Sequence, residues 1–252
     1  MIQKPVISIS IVSHQQGALV AALLSDIAAH CTLPLEIILT LNVPETLTFD
    51  AGAYPFPVEI IRNTTRKGFG ANHNAAFVHT GAAYFCVLNP DIRIAQDPFP
   101  RLIELLADDS VGVVAPLILN PAGGIEDSVR RFPTPSGILR KVLRGSPGPE
   151  YVLGEASVYP DWVAGMFMVF RAPVFRTLGG FDEGYFLYYE DVDLCWRMGC
   201  KGWRAALLPT VQATHDARRA SHRNLRYMLW HGRSMLRFFV KRAFASVRCA
   251  AG

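Results

Sequence analysis

The sequence predicts an α/β fold, a mostly parallel sheet flanked by helices, and three observations carry that prediction. Short β-rich runs alternate with segments of helical apolar spacing from residue 6 to residue 115, as expected of strands joined by crossover helices. Half of the 252 residues are apolar, enough to cover both faces of one large sheet. Two acidic turns about 100 residues apart, Asn89-Pro90-Asp91 and Glu190-Asp191-Val192-Asp193, each stand beside an apolar run. In open α/β sheets the crevice at the carboxyl ends of the strands binds ligands, so two acids there suggest a metal–nucleotide clamp and a general base.

Residues 6–12 are β-branched and alternate in part, a first strand ending at Ser13-His14. Leu19, Leu23 and Ile27, with Val20 and Leu24 beside them, then recur at helical spacing. Residues 35–41 and 58–61 read as the second and third strands, and a short helix spans 71–79 after Lys67-Gly68-Phe69-Gly70. Residues 83–88 form a fourth strand that Pro90 cannot continue. A helix begins near Pro98, where proline suits the first turn, and residues 111–115 are again a strand. Residues 116–160 concentrate Gly and Pro, carry basic pairs at Arg130-Arg131 and Arg140-Lys141, and lack periodicity, so a long loop over the site is expected. Strand character returns over 162–170, and Gly179-Gly180-Phe181-Asp182 marks a turn. Residues 191–201 fit a helix with Leu194 and Met198 inward, and residues 203–208 close the sheet.

The formal net charge of +4 is unevenly spread. Residues 217–252 hold nine Lys or Arg and no Asp or Glu, which leaves −5 on residues 1–216. The expected organisation is therefore one domain over 1–216 and a basic extension over 217–252. In that extension Leu225, Met228, Leu229, Met235, Leu236, Phe239 and Ala243 follow 3–4 spacing, while Arg226, Arg233, Arg237 and Lys241 fall on a neighbouring face. That is a basic amphipathic helix. It can pack its apolar side on the domain with the arginines in water, or lie against an anionic membrane, where each basic residue is worth about 1 kcal/mol. Both hold if it does one on each side.

No apolar stretch reaches the roughly 18 residues of a spanning helix, and residues 1–5 run straight into a strand pattern, so neither membrane spanning nor export is expected. Cys31, Cys86, Cys195, Cys200 and Cys249 show no CxxC pairing and read as reduced. A cytoplasmic location follows, with peripheral contact at the cytoplasmic face of the inner membrane. Nucleic acid is not an expected partner, because the body is acidic and carries no recognisable nucleic-acid module. No Gly-rich fingerprint follows the first strand, which argues against a dinucleotide dehydrogenase.

Six motifs in order carry a likeness: Lys67-Gly68-Phe69-Gly70-Ala71-Asn72-His73-Asn74, Leu88-Asn89-Pro90-Asp91, Asp161-Trp162-Val163-Ala164-Gly165, Gly179-Gly180-Phe181-Asp182-Glu183, the stretch from Phe186 through Glu190-Asp191 to Cys195, and Gly202-Trp203-Arg204. From the first strand to about Phe244 the chain resembles the inverting, GT-A-type family 2 glycosyltransferases, especially their bacterial rhamnosyltransferase-like branch. The resemblance implies a GT-A-like, Rossmann-related sheet. It also implies transfer of a sugar, with dTDP-L-rhamnose the favoured nucleotide-sugar donor, to a hydroxyl of a cell-surface polysaccharide or lipid-linked glycan.

By resemblance Asn89-Pro90-Asp91 is a variant of the DxD motif. Asp91 would ligate a Mg²⁺ or Mn²⁺ ion on the donor diphosphate, and Asn89 replaces an acid found in many relatives. Such a triplet also makes a turn unaided. Glu190-Asp191 matches the family's ED motif, with Asp191 the first choice for the base that deprotonates the acceptor hydroxyl and Glu190 the second. Acids at a helix N-terminus also gain about 0.3–1 kcal/mol there, the preferred reading for Asp193. Lys67 and Gly68 would let backbone approach the donor, with Asn74 beside them, and Ser13, His14 and Asn42 would meet base and ribose. Leu41, however, stands where relatives carry an acid. Trp162 and Gly165 would belong to the acceptor and sugar pocket, where aromatic faces stack on sugars, although Trp162 suits a core equally. His215 falls where many relatives supply a metal-binding histidine. The departures at Asn89 and Leu41 leave one alternative, a catalytically weak GT-A-fold carbohydrate-binding or scaffold protein.

Overall fold

In the computed structural model, which describes residues 4–145, 148, 150–216 and 225–249, strands and helices alternate as the sequence pattern predicts. The first half runs β1 (Ile7–Ser13), α1 (Gly17–His30), β2 (Leu35–Leu41), β3 (Val58–Arg62), α2 (Phe69–Phe77), β4 (Tyr84–Leu88), β5 (Ile92–Arg93), α3 (Phe99–Leu105) and β6 (Val111–Leu119). The second runs β7 (Val129–Arg130), α4 (Pro135–Arg144), β8 (Trp162–Val163), β9 (Phe167–Arg171), α5 (Ala172–Leu178), α6 (Glu190–Gly199), β10 (Arg204–His215) and α7 (Leu225–Cys249). Eight strands form one sheet in the order β3-β2-β1-β4-β9-β6-β10-β5, and β7 and β8 form a separate ribbon. Pairing is parallel at β3-β2, β2-β1, β1-β4 and β6-β10, and antiparallel around β9 and at β5.

From β1 the chain first adds β2 and β3 on one side, then crosses to place β4 on the other. This reversal is the switch point at which open α/β sheets leave a crevice. The carboxyl ends of β1, β2 and β4 lead there into Ser13-His14, Asn42 and Asn89.

The sheet is buried on both faces. Ile9, Ile11, Leu23, Ile27, Leu39 and Phe99 fill one side, under α1 and α3. On the other, Phe85, Phe170, Phe175 and Phe181 form an aromatic stack with ring centroids 5.0–5.6 Å apart. Edge and tilted contacts of this kind add to the area term that makes buried rings strong anchors. The stack pins Phe181, and with it the start of the segment that leads to α6.

Several expectations need correction. Residues 116–160 are not one long loop, because β6 continues to Leu119 and α4 occupies Pro135–Arg144. The signals for α4 were present: Thr134 caps Gly137 N at 3.0 Å, Pro135 takes the first turn, and Gly145 ends the helix at φ +81°. The run 162–170 breaks at residues 164–166, so that β8 leaves the main sheet for β7. β10 does not stop at Leu208; it passes an irregularity between Leu208 and Gln212, where Pro209 removes a ladder donor, and reaches His215. Cys31, Cys86 and Cys195 are free thiols, but Cys200 is disulfide-bonded, contrary to the reading of all five as reduced.

The C-terminal helix is turned around relative to the simpler expectation. Ser234 and Phe238 are buried against the domain, whereas Leu229, Leu236 and Phe244 are 73%, 65% and 78% exposed. Phe238 packs with Tyr189 and Trp196, an aromatic pocket that outcompetes the aliphatic stripe for the inward position. Among the described residues no helix is long and apolar enough to cross a membrane.

Candidate active site

The two acidic turns meet through two residues of the break between β8 and β9. The Asn89 amide donates to the Met166 carbonyl at 2.9 Å, while the Gly165 amide donates to Asp191 Oδ2 at 3.0 Å. Adjacent backbone groups thus tie the turn after β4 to the first turn of α6. The glycine is needed for space, because a Cβ at position 165 would stand 3.3 Å from the Phe69 ring and 3.7 Å from Asp191 Cβ. α2 closes on the same place, since the Phe69 amide donates to the Phe186 carbonyl at 2.9 Å, and a Cβ on Gly68 would come within 2.7 Å of that carbonyl.

Asp191 accepts a second hydrogen bond from the Val192 amide at 2.8 Å. Burial pushes its carboxyl above the usual range, while the amides of Gly165 and Val192 oppose the shift and stabilise the anion. Glu190 beside it is buried, with Oε2 lacking a partner, and burial together with the Asp191 charge holds it well above the ordinary carboxylate value. Of the two carboxyls, Asp191 is the one that two amides anchor as an anion, and Glu190 is the one held well above the ordinary range. Asp193 is fully buried and bonded to Arg197 at 2.7 Å, an internal ion pair rather than a simple helix-end charge.

On the other side of the crevice, β10 delivers His215 to the acidic turn. Asp216 N donates to Asp91 O at 2.9 Å, and His215 Nε2 stands 3.3 Å from Asp91 Oδ2. Glu126, which sequence reasoning did not single out, holds His215 Nδ1 at 2.7 Å. Burial lowers the His215 pKa, but the hydrogen bonds to Asp91 and Glu126 outweigh it and push the ring up to about 9. A carboxylate on the far nitrogen is the usual way to aim a histidine at a cation, and Asp91 Oδ1 is buried without a partner. Asp91 and His215 could hold a divalent ion once the ring gives up the proton that Asp91 and Glu126 favour on it. Among the described residues no three His, Cys, Asp or Glu side chains are grouped to cage one by themselves, so further oxygens must come with a ligand.

The remaining expected donor residues are near the crevice, but several side chains are committed elsewhere. Ser13 Oγ donates to Glu45 Oε2 at 2.6 Å, and Glu45 also accepts from the Gln15 and Gly17 amides that open α1. Asn42, fully buried, pairs both ways with the Lys67 backbone, at 2.8 and 2.9 Å, and bonds His14 Nε2 at 3.1 Å. Arg66 Nε donates to the same His14 nitrogen at 3.1 Å, and burial followed by the Arg66 charge lowers the His14 pKa. Asn74 is spent on the Phe181 backbone, 2.8 and 2.9 Å away, and on Glu183. Lys67 stays exposed, and a cavity of about 480 Å³ lies beside Leu41, Glu45, Arg62 and Asn63. Trp162 is half-buried, its Nε1 donating to the Arg131 carbonyl at 3.0 Å and its side chain packed against the cluster of Tyr185, Val192 and Phe238. Arg130, opposite Trp162 in the β7-β8 ribbon, is close enough for its charge to lower the Asp191 pKa.

The family model described as "Glycosyl transferase family 2" matches residues 8–169. The chain is 31% identical over 198 residues to rhamnosyltransferase WbbL of Escherichia coli K12, covering 72% of this chain and 73% of that protein. It is 24% identical over 244 residues to N-acetylglucosaminyl-diphospho-decaprenol L-rhamnosyltransferase of Mycobacterium tuberculosis, covering 87% and 78%. Among solved structures, GalNAc-T7 with UDP, GalNAc and Mn²⁺ superposes with a TM-score of 0.66 at 15% identity over 88% of this chain and 45% of that one. The mannosyltransferase PcManGT of Pyrobaculum calidifontis, in complex with GDP-Man and Mn²⁺, gives 0.60 at 18% over 86% and 59%. This chain thus spans about half the length of those two structures, and at these identities the likeness concerns the GT-A-like fold alone.

Proposed function

Because the chain belongs to glycosyl transferase family 2 and is a glycosyltransferase, we propose that it moves L-rhamnose from dTDP-L-rhamnose to a hydroxyl of a lipid-linked glycan or cell-surface polysaccharide. The names of the E. coli and mycobacterial relatives support rhamnose, and the latter's decaprenol diphosphate supports a lipid-linked acceptor.

The observation that carries the mechanism is the pair of backbone amides holding Asp191 beside the segment that also fixes Asn89. The acceptor oxygen attacks the anomeric carbon and its proton passes to Asp191. The bond from that carbon to the diphosphate oxygen breaks, its electron pair leaves on the diphosphate, and the configuration inverts. Asp91 and His215 would hold a Mg²⁺ or Mn²⁺ ion, which would neutralise charge on the leaving diphosphate. Mn²⁺ in the two solved structures supports this choice. Glu126 orients His215, and Asn42 holds the Lys67-Gly68 backbone at the donor side.

α7 would bring the enzyme to its lipid-linked acceptor at the cytoplasmic face of a membrane. Leu229, Leu236, Val240 and Phe244 form an exposed ridge opposite the buried Ser234 and Phe238, and Arg226 and Arg233 lie on the ridge side of the helix. α4 adds exposed Leu139 and Leu143 beside Arg140, Lys141 and Arg144, and lies close enough for Lys141 to lower the pKa of His231 in α7, after burial. Apolar side chains set among cations suit an anionic lipid surface.

Calorimetric titration with dTDP-rhamnose, UDP-glucose, UDP-galactose and GDP-mannose, each with and without Mn²⁺, tests the donor assignment. Selective, Mn²⁺-enhanced binding of dTDP-rhamnose is expected, and weakened by Asp91→Asn. Selection of another sugar nucleotide would replace the donor; no binding by any would favour a carbohydrate-binding or scaffold role.

A further inference from the structure

We propose that Lys241 is a positioning residue for the transfer reaction: from α7 its ammonium clasps the two ends of the turn that presents Asp191. This deepens the assignment of Asp191 as the base and rests on it. The turn starts at Asp182, just after the phenylalanine pinned by the aromatic stack, and ends at Asp193 in the first turn of α6. Lys241 Nζ lies 2.8 Å from Asp182 Oδ2 and 2.6 Å from Asp193 Oδ1. Asp193 is fully buried and two residues past Asp191, so a shift of one carboxylate drags the other. Arg237 reaches Asp182 at 2.9 Å, and Arg197 reaches Asp193 at 2.7 Å from within α6. Among these three cations it is Lys241 that joins the two ends.

The turn needs such a clasp. Tyr188 and Tyr189, immediately before Glu190, both have left-handed backbones, φ +69° and +67°, in which a bulky side chain is strained. Such a conformation persists only when its surroundings impose it, and here α7 does so. Ser234 Oγ donates to the Leu187 carbonyl at 2.9 Å, and the His231 ring lies 5.4 Å from both tyrosine rings. Phe238 packs on Tyr189 at 5.7 Å. The helix that faces solvent with its apolar ridge thus grips the catalytic turn with its opposite side.

Lys241→Met keeps the aliphatic stem and removes the charge; Lys241→Arg restores it; Ser234→Ala removes one bond to the turn and is the milder variant should Lys241→Met not fold. Full-length proteins are compared by amide hydrogen exchange over residues 182–193 and by hydrolysis of dTDP-rhamnose, or whichever of the four nucleotide sugars binds. In Lys241→Met, exchange in this segment should quicken and kcat fall roughly 10- to 100-fold with donor KM unchanged, and Lys241→Arg should recover most of both. Ser234→Ala should shift both readouts in the same direction by less. Unchanged exchange in Lys241→Met overturns the clasp. Quickened exchange with unchanged kcat, or a fall in kcat matched by a rise in KM, overturns its positioning role. Turnover retained in Asp191→Asn would instead remove the base assignment, while the exchange comparison still decides whether Lys241 holds the turn.

Discussion

Asp191 and Glu190 are sequence neighbours with opposite fates. Two amides stabilise the Asp191 anion, whereas Glu190 Oε2 has no partner, and burial with the Asp191 charge holds the Glu190 carboxyl well above its ordinary value against one opposing backbone hydrogen bond. Asp191→Asn should therefore lower kcat by about 10²–10⁴-fold with donor affinity intact, while Glu190→Gln, a mimic of the neutral acid, keeps most activity. Steady-state kinetics with calorimetry checks both, and the reverse ranking would move the base to Glu190. Burial raises the Asp191 pKa, and only the unprotonated form accepts a proton, so kcat should climb with pH along a limb above the ordinary value of about 3.9. Resemblance to the family's motifs made Asp191 and Asp91 candidates in the sequence, resemblance of position made His215 one, and the fold sets His215 3.3 Å from Asp91. Ser13, Asn42 and Asn74 were legible as polar residues at the crevice but not in what they bond. Their partners, Glu45, the Lys67 backbone and the Phe181 backbone, are 25 to 107 residues away, and only folding assigns them.

α7 shows what periodicity can and cannot say about an element. The 3–4 spacing identified the helix, but both of its sides carry large apolar residues, and the choice of the inward one depends on what waits on the domain. There Tyr189 and Trp196 receive Phe238, and Asp182 and Asp193 receive Lys241, so the aliphatic ridge is left outside. α4 was missed for a different reason: its caps are sound, but its exposed leucines alternate with cations and leave no core stripe to detect. Replacing Leu236 and Phe244 together by serine should abolish cosedimentation with phosphatidylglycerol vesicles while leaving the melting temperature and donor binding in place. Unaltered cosedimentation would exclude the ridge as the lipid contact; a wild-type dimer split by the substitutions would make it a subunit interface.

At the scale of the molecule, the sheet's first half was legible because β1 to β4 follow in chain order, with α1 and α2 among them and the Pro and Gly signals between them intact. The second half was less so, because β9 is inserted antiparallel between β4 and β6 and no local signal tells a strand which neighbours it will join. That insertion has a consequence for biosynthesis. Strands β1 to β4 can assemble as soon as they emerge, but β4 keeps a bare, apolar edge until residues 167–171 arrive, about 80 residues later. At about 5–20 residues per second the delay is roughly 4–16 s, during which an unpaired strand invites association with other chains. Chains arrested on the ribosome with 166 residues emerged should bind a chaperone that shields apolar strands, and release it once residue 171 is clear; equal chaperone occupancy at both lengths would show that the edge is covered some other way.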